Sequence, residues 1–269
     1  MRTTDRFKMN HLDHFEDLLS DVREYADHDL PYYASSLRSA FTQVEPLFTR
    51  SRYAEFFWHC ASTVPGWLPK VVIANSEAES EGSAKLLKLW RTVSYNSEVE
   101  DKVLVHAKDE SRHSRLFLCL AERAFPSWLV PGEIARLNDR LPDVRRKKYE
   151  KAEHQIPEAL LIDHLVQMNI GEIRTRIHMH LLAPVIYAFT PKEYKDSVGR
   201  ILEGLVRDEV RHIGYTALLM EKWAEDGAVD YLDRLYSERL HDFSLVTLRQ
   251  TEPAIRSYGQ GRFPDLLEI

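Results

Sequence analysis

Little in this chain invites a disulfide, a β-sheet or a membrane. Its two cysteines, Cys60 and Cys119, lie in unrelated stretches and form no CxxC pair, so they read as small buried apolar side chains. Glycines number only ten in 269 residues. Alternating Val/Ile/Thr runs bounded by turn residues are missing, which argues against strands. No window approaches about 18 uninterrupted apolar residues, and the opening "MRTTDRFKMNHLDHFED" has no signal-peptide-like apolar core. No membrane association is therefore expected, and the cytoplasm is the expected compartment. A formal net charge of -6 lacks the basic footprint of a nucleic-acid binder. No low-complexity linker divides the sequence, so one domain over 1–269 is expected.

What the chain does have is long 3.6-period stretches in an ordinary globular composition, 44% hydrophobic and 29% charged. The periodicity predicts helices at about 11–29, 33–60, 66–94, 98–125, 131–139, 153–188, 192–224 and 228–250. "LPDVRRKKYEKAE" (141–153) reads as a solvated crossover between two helical hairpins, and "GQGRFPDLLEI" as an irregular tail. Two hairpins and one long connection are the plan of a four-helix bundle. Its core would span about 66–224, with additional helices at 11–60 and 228–250.

Two stretches of the bundle repeat each other. "KDESRHSRLF" (108–117) and "RDEVRHIGYT" (207–216) both contain Asp-Glu-x-Arg-His. Val103, Glu110 and Phe117 fall on one helix face with His113 beside Glu110; Leu202, Glu209 and Thr216 repeat this with His212. The polar groups thus share the core-facing stripe. A buried carboxylate without compensation costs several kcal/mol, so something must neutralise it. Glu-x-x-His on each of two helices supplies an oxygen and an imidazole nitrogen toward a shared point, enough to begin holding two metal ions. More carboxylates are then needed from the partner helices. Glu79 sits amid the apolar line Val72, Leu86 and Val93, flanked by the small residues Asn75, Ser76, Gly82 and Ser83; a shifted helix phase would favour Glu77 instead. Glu172 lies alone in the stripe Leu161, Leu165, Met168, Met179 and Leu182. Six ligands emerge: Glu79, Glu110, His113, Glu172, Glu209 and His212.

This pattern resembles the ferritin-like di-iron carboxylate superfamily, and the full repeated signature is similar to that of soluble bacterial monooxygenase hydroxylases. The resemblance covers about 66–220. It implies an all-α, ferritin-like four-helix bundle holding two iron ions, with manganese in one position left open, and an O2-dependent oxidase or oxygenase. The reaction would be hydroxylation, N-oxygenation or desaturation of a small organic substrate, free or carrier-bound. It also implies that Asp109 and Asp208 accept hydrogen bonds from the ligand histidines, and that Arg112 and Arg211 tie the network together. His106, one turn before Glu110, has Leu205 as its repeat counterpart. It reads either as a third imidazole ligand, resembling the di-iron N-oxygenases, or as a core or substrate-pocket histidine. Thr175, one turn after Glu172, either lends a catalytic hydroxyl for proton delivery or packs between helices. Trp67, Trp90, Phe117 and Met168 are candidates to line a substrate pocket. No electron-transfer motif is present, so an external electron donor is expected, and the spare apolar helices suit a homodimer. The alternatives are an iron-handling ferritin-like protein, usually a shorter chain, and a radical protein like the ribonucleotide reductase small subunit. The latter needs a tyrosine near the metals, and Tyr215 lies off the stripe.

Overall fold

The computed structural model describes residues 11–142, 144 and 150–257. Residues 143 and 145–149 of the expected crossover, and the tail beyond 257, lie outside the described residues. The described chain is all helical, with no strand among the described residues: α1 (His11–Ala26), α2 (Pro31–Val44), α3 (Ser51–Thr63), α4 (Trp67–Trp90), α5 (Ser97–Ala124), α6 (Glu133–Arg140), α7 (Glu158–Phe189), α8 (Lys195–Trp223) and α9 (Val229–Ser257). None of these helices is long and apolar enough to cross a membrane.

Several boundaries differ from the periodicity, α9 for one running seven residues past the expected 250, and two of the differences lie at prolines. The stretch 33–60, read as one helix, is α2 and α3 with a 3-10 turn at Leu47–Thr49 between them. Pro46 has no N–H and disfavours helical backbone in the residue before it. Glu45 accordingly turns left-handed (φ 45), and its N–H closes α2 on Phe41 O at 3.0 Å. Likewise α7 starts five residues later than 153, because Pro157 stands at its N-cap in extended conformation. Between α8 and α9 the chain kinks at Gly227, whose φ of 100 suits glycine.

The chain forms two compact units. One comprises residues up to Cys60, Ile162–Leu181 and the chain from Glu209 onward. Its core is Phe15, Leu18, Leu37, Phe41, Tyr236 and Leu240, all at most 1% exposed, with the Phe15 and Phe41 rings 5.5 Å apart. Here α2 packs against α1 and along α9. Leu30 at the N-cap of α2 offers no side-chain acceptor, so Glu221 of α8 accepts from the free amides of Tyr33 (2.7 Å) and Tyr32 (3.2 Å). Asp163 of α7 receives Nε and Nη2 of Arg239 of α9, both at 2.7 Å; that guanidinium holds its carboxyl below the ordinary range. Buried Asn169 of α7 is a four-way junction. Its amide nitrogen donates to Ile213 O (3.2 Å) and Thr216 Oγ1 (2.8 Å), and its oxygen accepts from Tyr33 (3.3 Å) and Tyr236 (3.2 Å) hydroxyls. That saturates an amide side chain.

The other unit comprises Ala61–Leu161 and Leu182–Asp208. In it α4 lies along α5, and α6 packs on α5. Asn96 caps α5 by accepting from Val99 N, with Glu98 and Glu100 in the first turn where the helix dipole favours acid. The serines of α4 allow a close approach: Ser83 Oγ donates to Ala107 O across to α5 at 2.6 Å. The last residues of the crossover and those just after it are fastened to the end of α4. Ala152 N bonds Arg91 O, Ile156 N bonds Thr92 O, and Lys151 lies 3.5 Å from the Trp90 ring centre.

Candidate metal centre

In the unit containing α4 and α5, four ionisable side chains meet, buried, in the helix interface. Glu79 is 6% exposed, Glu110 5%, His106 1% and His113 0%. Glu77 and Glu81, on either side of Glu79, are exposed, so the helix phase turns only Glu79 of the three inward. His113 Nδ1 stands 3.6 Å from Glu79 Oε2 and 3.5 Å from Glu110 Oε1, and His106 Nε2 stands 3.4 Å from Glu110 Oε1. These spacings exceed the usual hydrogen bond of about 2.7–3.2 Å. They suit donors around a cation: two atoms each about 2.1 Å from one ion, at angles of about 90–110°, stand roughly 3.0–3.4 Å apart. Ligand atoms of Glu79, Glu110 and His113 all lie within 4.8 Å of one another. Two carboxylates with one or two imidazoles are a donor set that suits iron or manganese.

Electrostatics agree with that fit. Burial, and then the negative charge of Glu110, push the Glu79 carboxyl well above its ordinary range. Burial works against a charged His113, but Asp208, Glu110 and Glu79 outweigh it and hold the imidazolium to higher pH than usual. A cation placed here would take over the role of those protons.

Two features around this set orient it. His113 Nε2 lies 3.1 Å from Asp208 Oδ2, which turns Nδ1 toward the two glutamates. Asp208 also accepts from Arg112 (2.5 Å), and Arg112 bridges on to Asp109 (3.0 Å). Arg112 and Asp109 are half-buried. Gly82 faces Glu110: a Cβ there would stand 3.1 Å from Glu110 Oε2, so a larger residue would crowd the carboxylate.

In the other unit, Glu172 of α7 and Glu209 and His212 of α8 form a second set, 9%, 1% and 1% exposed. His212 Nδ1 lies 3.9 Å from Glu172 Oε2 and 4.0 Å from Glu209 Oε2, a wider arrangement than the first. Thr216, one turn on, donates to His212 O at 2.8 Å. Arg211 and Thr175 are half-buried.

No family model, curated protein or solved structure matches the chain. What stands without them is an all-helical bundle with buried Glu/His clusters that could hold a metal ion.

Other ionisable and aromatic side chains fall outside these clusters. His178 bonds the Tyr53 hydroxyl at 3.1 Å and stacks on its ring; burial, then the nearby Arg174 charge, holds it well below its usual pKa. Tyr215 donates to Met168 Sδ at 3.5 Å. Phe117 is 1% exposed, while Trp90 is half-buried beneath Lys151. A cavity of about 270 Å³ in the unit of α4 and α5 is lined by other residues, among them Val64, Leu68, Phe125, Trp128 and Phe189. Sequence reasoning also passed over Asn169 and Glu221. Asn169 was findable: it lies three residues before Glu172, on the same face, and is polar where the stripe is apolar.

Proposed function

We propose that the two sets bind two iron ions and that the protein is a non-haem di-iron oxidase or oxygenase acting on a small organic substrate. The observation that carries this reading is the buried group Glu79, Glu110 and His113, with donor spacings near those of a coordinated cation. The repeat of the same motif at Glu209 and His212 supports a second ion. Bound iron would supply the O2 chemistry; the reaction would be hydroxylation, N-oxygenation or desaturation.

The chain's own residues have separable tasks. Glu79 and Glu110 would supply hard oxygens, and Glu110 faces the imidazoles of both His106 and His113. Asp208 takes the hydrogen bond of His113 Nε2 and leaves Nδ1 as the donor atom. Burial of these side chains strengthens the charge interactions among them. Reducing equivalents come from an external donor, since the sequence carries no redox motif of its own.

Ferrous iron titrated into metal-free protein without oxygen tests the reading. About two ions per chain should bind, and O2 admitted afterward should be consumed faster in the presence of a turned-over substrate. Uptake of no iron overturns the proposal. Growth of a mineral signal over many equivalents, with no substrate dependence, would replace it with iron handling.

A further inference from the structure

The second set has a support that the repeat does not predict. We infer that Asn169 is a positioning residue for the Glu172–His212 pair, an inference that rests on the metal reading above. Asn169 precedes Glu172 by three residues on α7, so the two side chains share a face. Its amide reaches α8 at two points that bracket the turn following His212: Ile213 O at 3.2 Å and Thr216 Oγ1 at 2.8 Å. The Thr216 hydroxyl in turn donates to the carbonyl of His212 itself, at 2.8 Å. One neutral side chain thereby fixes the height of Glu172 on α7 against His212 on α8.

The amide is itself held. Both lone-pair positions of its oxygen are occupied, by Tyr33 of α2 and Tyr236 of α9, and the residue is 0% exposed. With all four of its hydrogen-bond positions taken, Asn169 cannot rotate or flip without leaving buried partners unmatched. The aspartates and Arg112 that orient the first set by charge have this uncharged counterpart at the second. It matters most there because His212 Nδ1 and its carboxylates stand 3.9–4.0 Å apart. A small change of α7 height would carry them beyond the reach of one ion.

The test is anaerobic ferrous-iron titration of the full chain, followed at equilibrium, with helix content recorded by circular dichroism. Asn169→Leu should keep one ion at wild-type affinity and bind the second roughly 10–100-fold more weakly, the range for lost positioning partners. Thr216→Val, nearly isosteric, should weaken the same ion in the same direction by a smaller factor. Asp163→Ala, which removes the α7–α9 ion pair six residues upstream, should lower the melting temperature and leave both ions in place. If Asn169→Leu and Thr216→Val bind both ions as wild type does, the inference is overturned while the metal reading stands. If Asn169→Leu weakens both ions equally and in step with lost stability, as Asp163→Ala would then also do, its role is structural only. Wild-type protein that takes up no ion overturns this inference and the metal reading together.

Discussion

The Glu79/Glu110/His113 set and the Glu172/Glu209/His212 set are spelled almost identically in the sequence, yet the protein supports them by different physics. The first is tight, with nitrogen–oxygen spacings of 3.4–3.6 Å, and a charged chain runs from His113 through Asp208 and Arg112 to Asp109. The second is wider, at 3.9–4.0 Å, and braced by a neutral amide and a threonine hydroxyl. The first also carries His106 where the repeat has Leu205. A repeated motif thus specifies which groups turn inward, while the neighbours decide how firmly they are held. The first set, richer in nitrogen and pinned by charge, is expected to bind its ion more tightly.

The largest effect should come from removing the carboxylate at the middle of the first set. Glu110 lies within 3.5 Å of both His106 and His113, so Glu110→Ala should weaken iron binding by at least about 100-fold, more than the loss of an outer partner. Helix content should stay near wild type. Glu81→Ala, exposed on the opposite face of α4, should bind two ions unchanged. Equal behaviour of the two variants in a ferrous-iron titration would erase the distinction between inward and outward carboxylates.

Next is the charged support. Asp208→Asn keeps the shape but removes the charge that Arg112 and His113 share. It should weaken the ion at the first set roughly 10-fold, toward the low end of outer-partner effects, and leave the second ion less affected. Loss of the second ion instead would reverse the assignment of supports.

Protons sharpen the comparison without mutation. In metal-free protein Glu79 and His113 both hold protons to higher pH than their ordinary values of 4.5 and 6.5. The folded chain then binds more protons than the unfolded chain, so stability falls as pH rises. The His113 contribution is complete below 6.5 and is lost as pH climbs through its raised folded value. Glu79 has the same sign, beginning its decline above 4.5. Metal-free protein should therefore melt at a lower temperature at pH 8 than at pH 6, while saturating iron flattens or inverts the trend because metal and proton compete. A metal-free melting temperature that rises over that interval would contradict the proton-holding cluster.

Much of this was legible because helix periodicity is a strong signal. The inward phase of Glu79 against outward Glu77 followed from the line Val72, Leu86 and Val93. The break at Glu45–Pro46 was hidden, since the apolar spacing runs on through it and only local backbone sterics end α2. Asp208 reads in sequence as a partner for some ligand histidine, but the choice of His113 depends on how α5 and α8 approach, which spacing does not encode. Asn169 and Glu221 were obscured for a similar reason: each acts on another helix, over 44 to 189 positions of sequence.

The smallest expected effect lies away from both sets, at Glu45. A non-glycine residue in left-handed backbone costs about 1–2 kcal/mol relative to glycine, while glycine adds about 0.4–1 kcal/mol of unfolded-state freedom. Glu45→Gly should therefore raise stability by roughly 0.5 kcal/mol, a shift of about 1–2 °C in melting temperature. Iron affinity at both sets should not move, because the Glu45 N–H to Phe41 O bond that ends α2 is kept. A change in iron affinity with that substitution would mean that the α2–α3 break acts on the second set through Tyr33, whose hydroxyl meets Asn169. The difference between the two supports would then reach further from the ligands than the hydrogen bonds alone indicate.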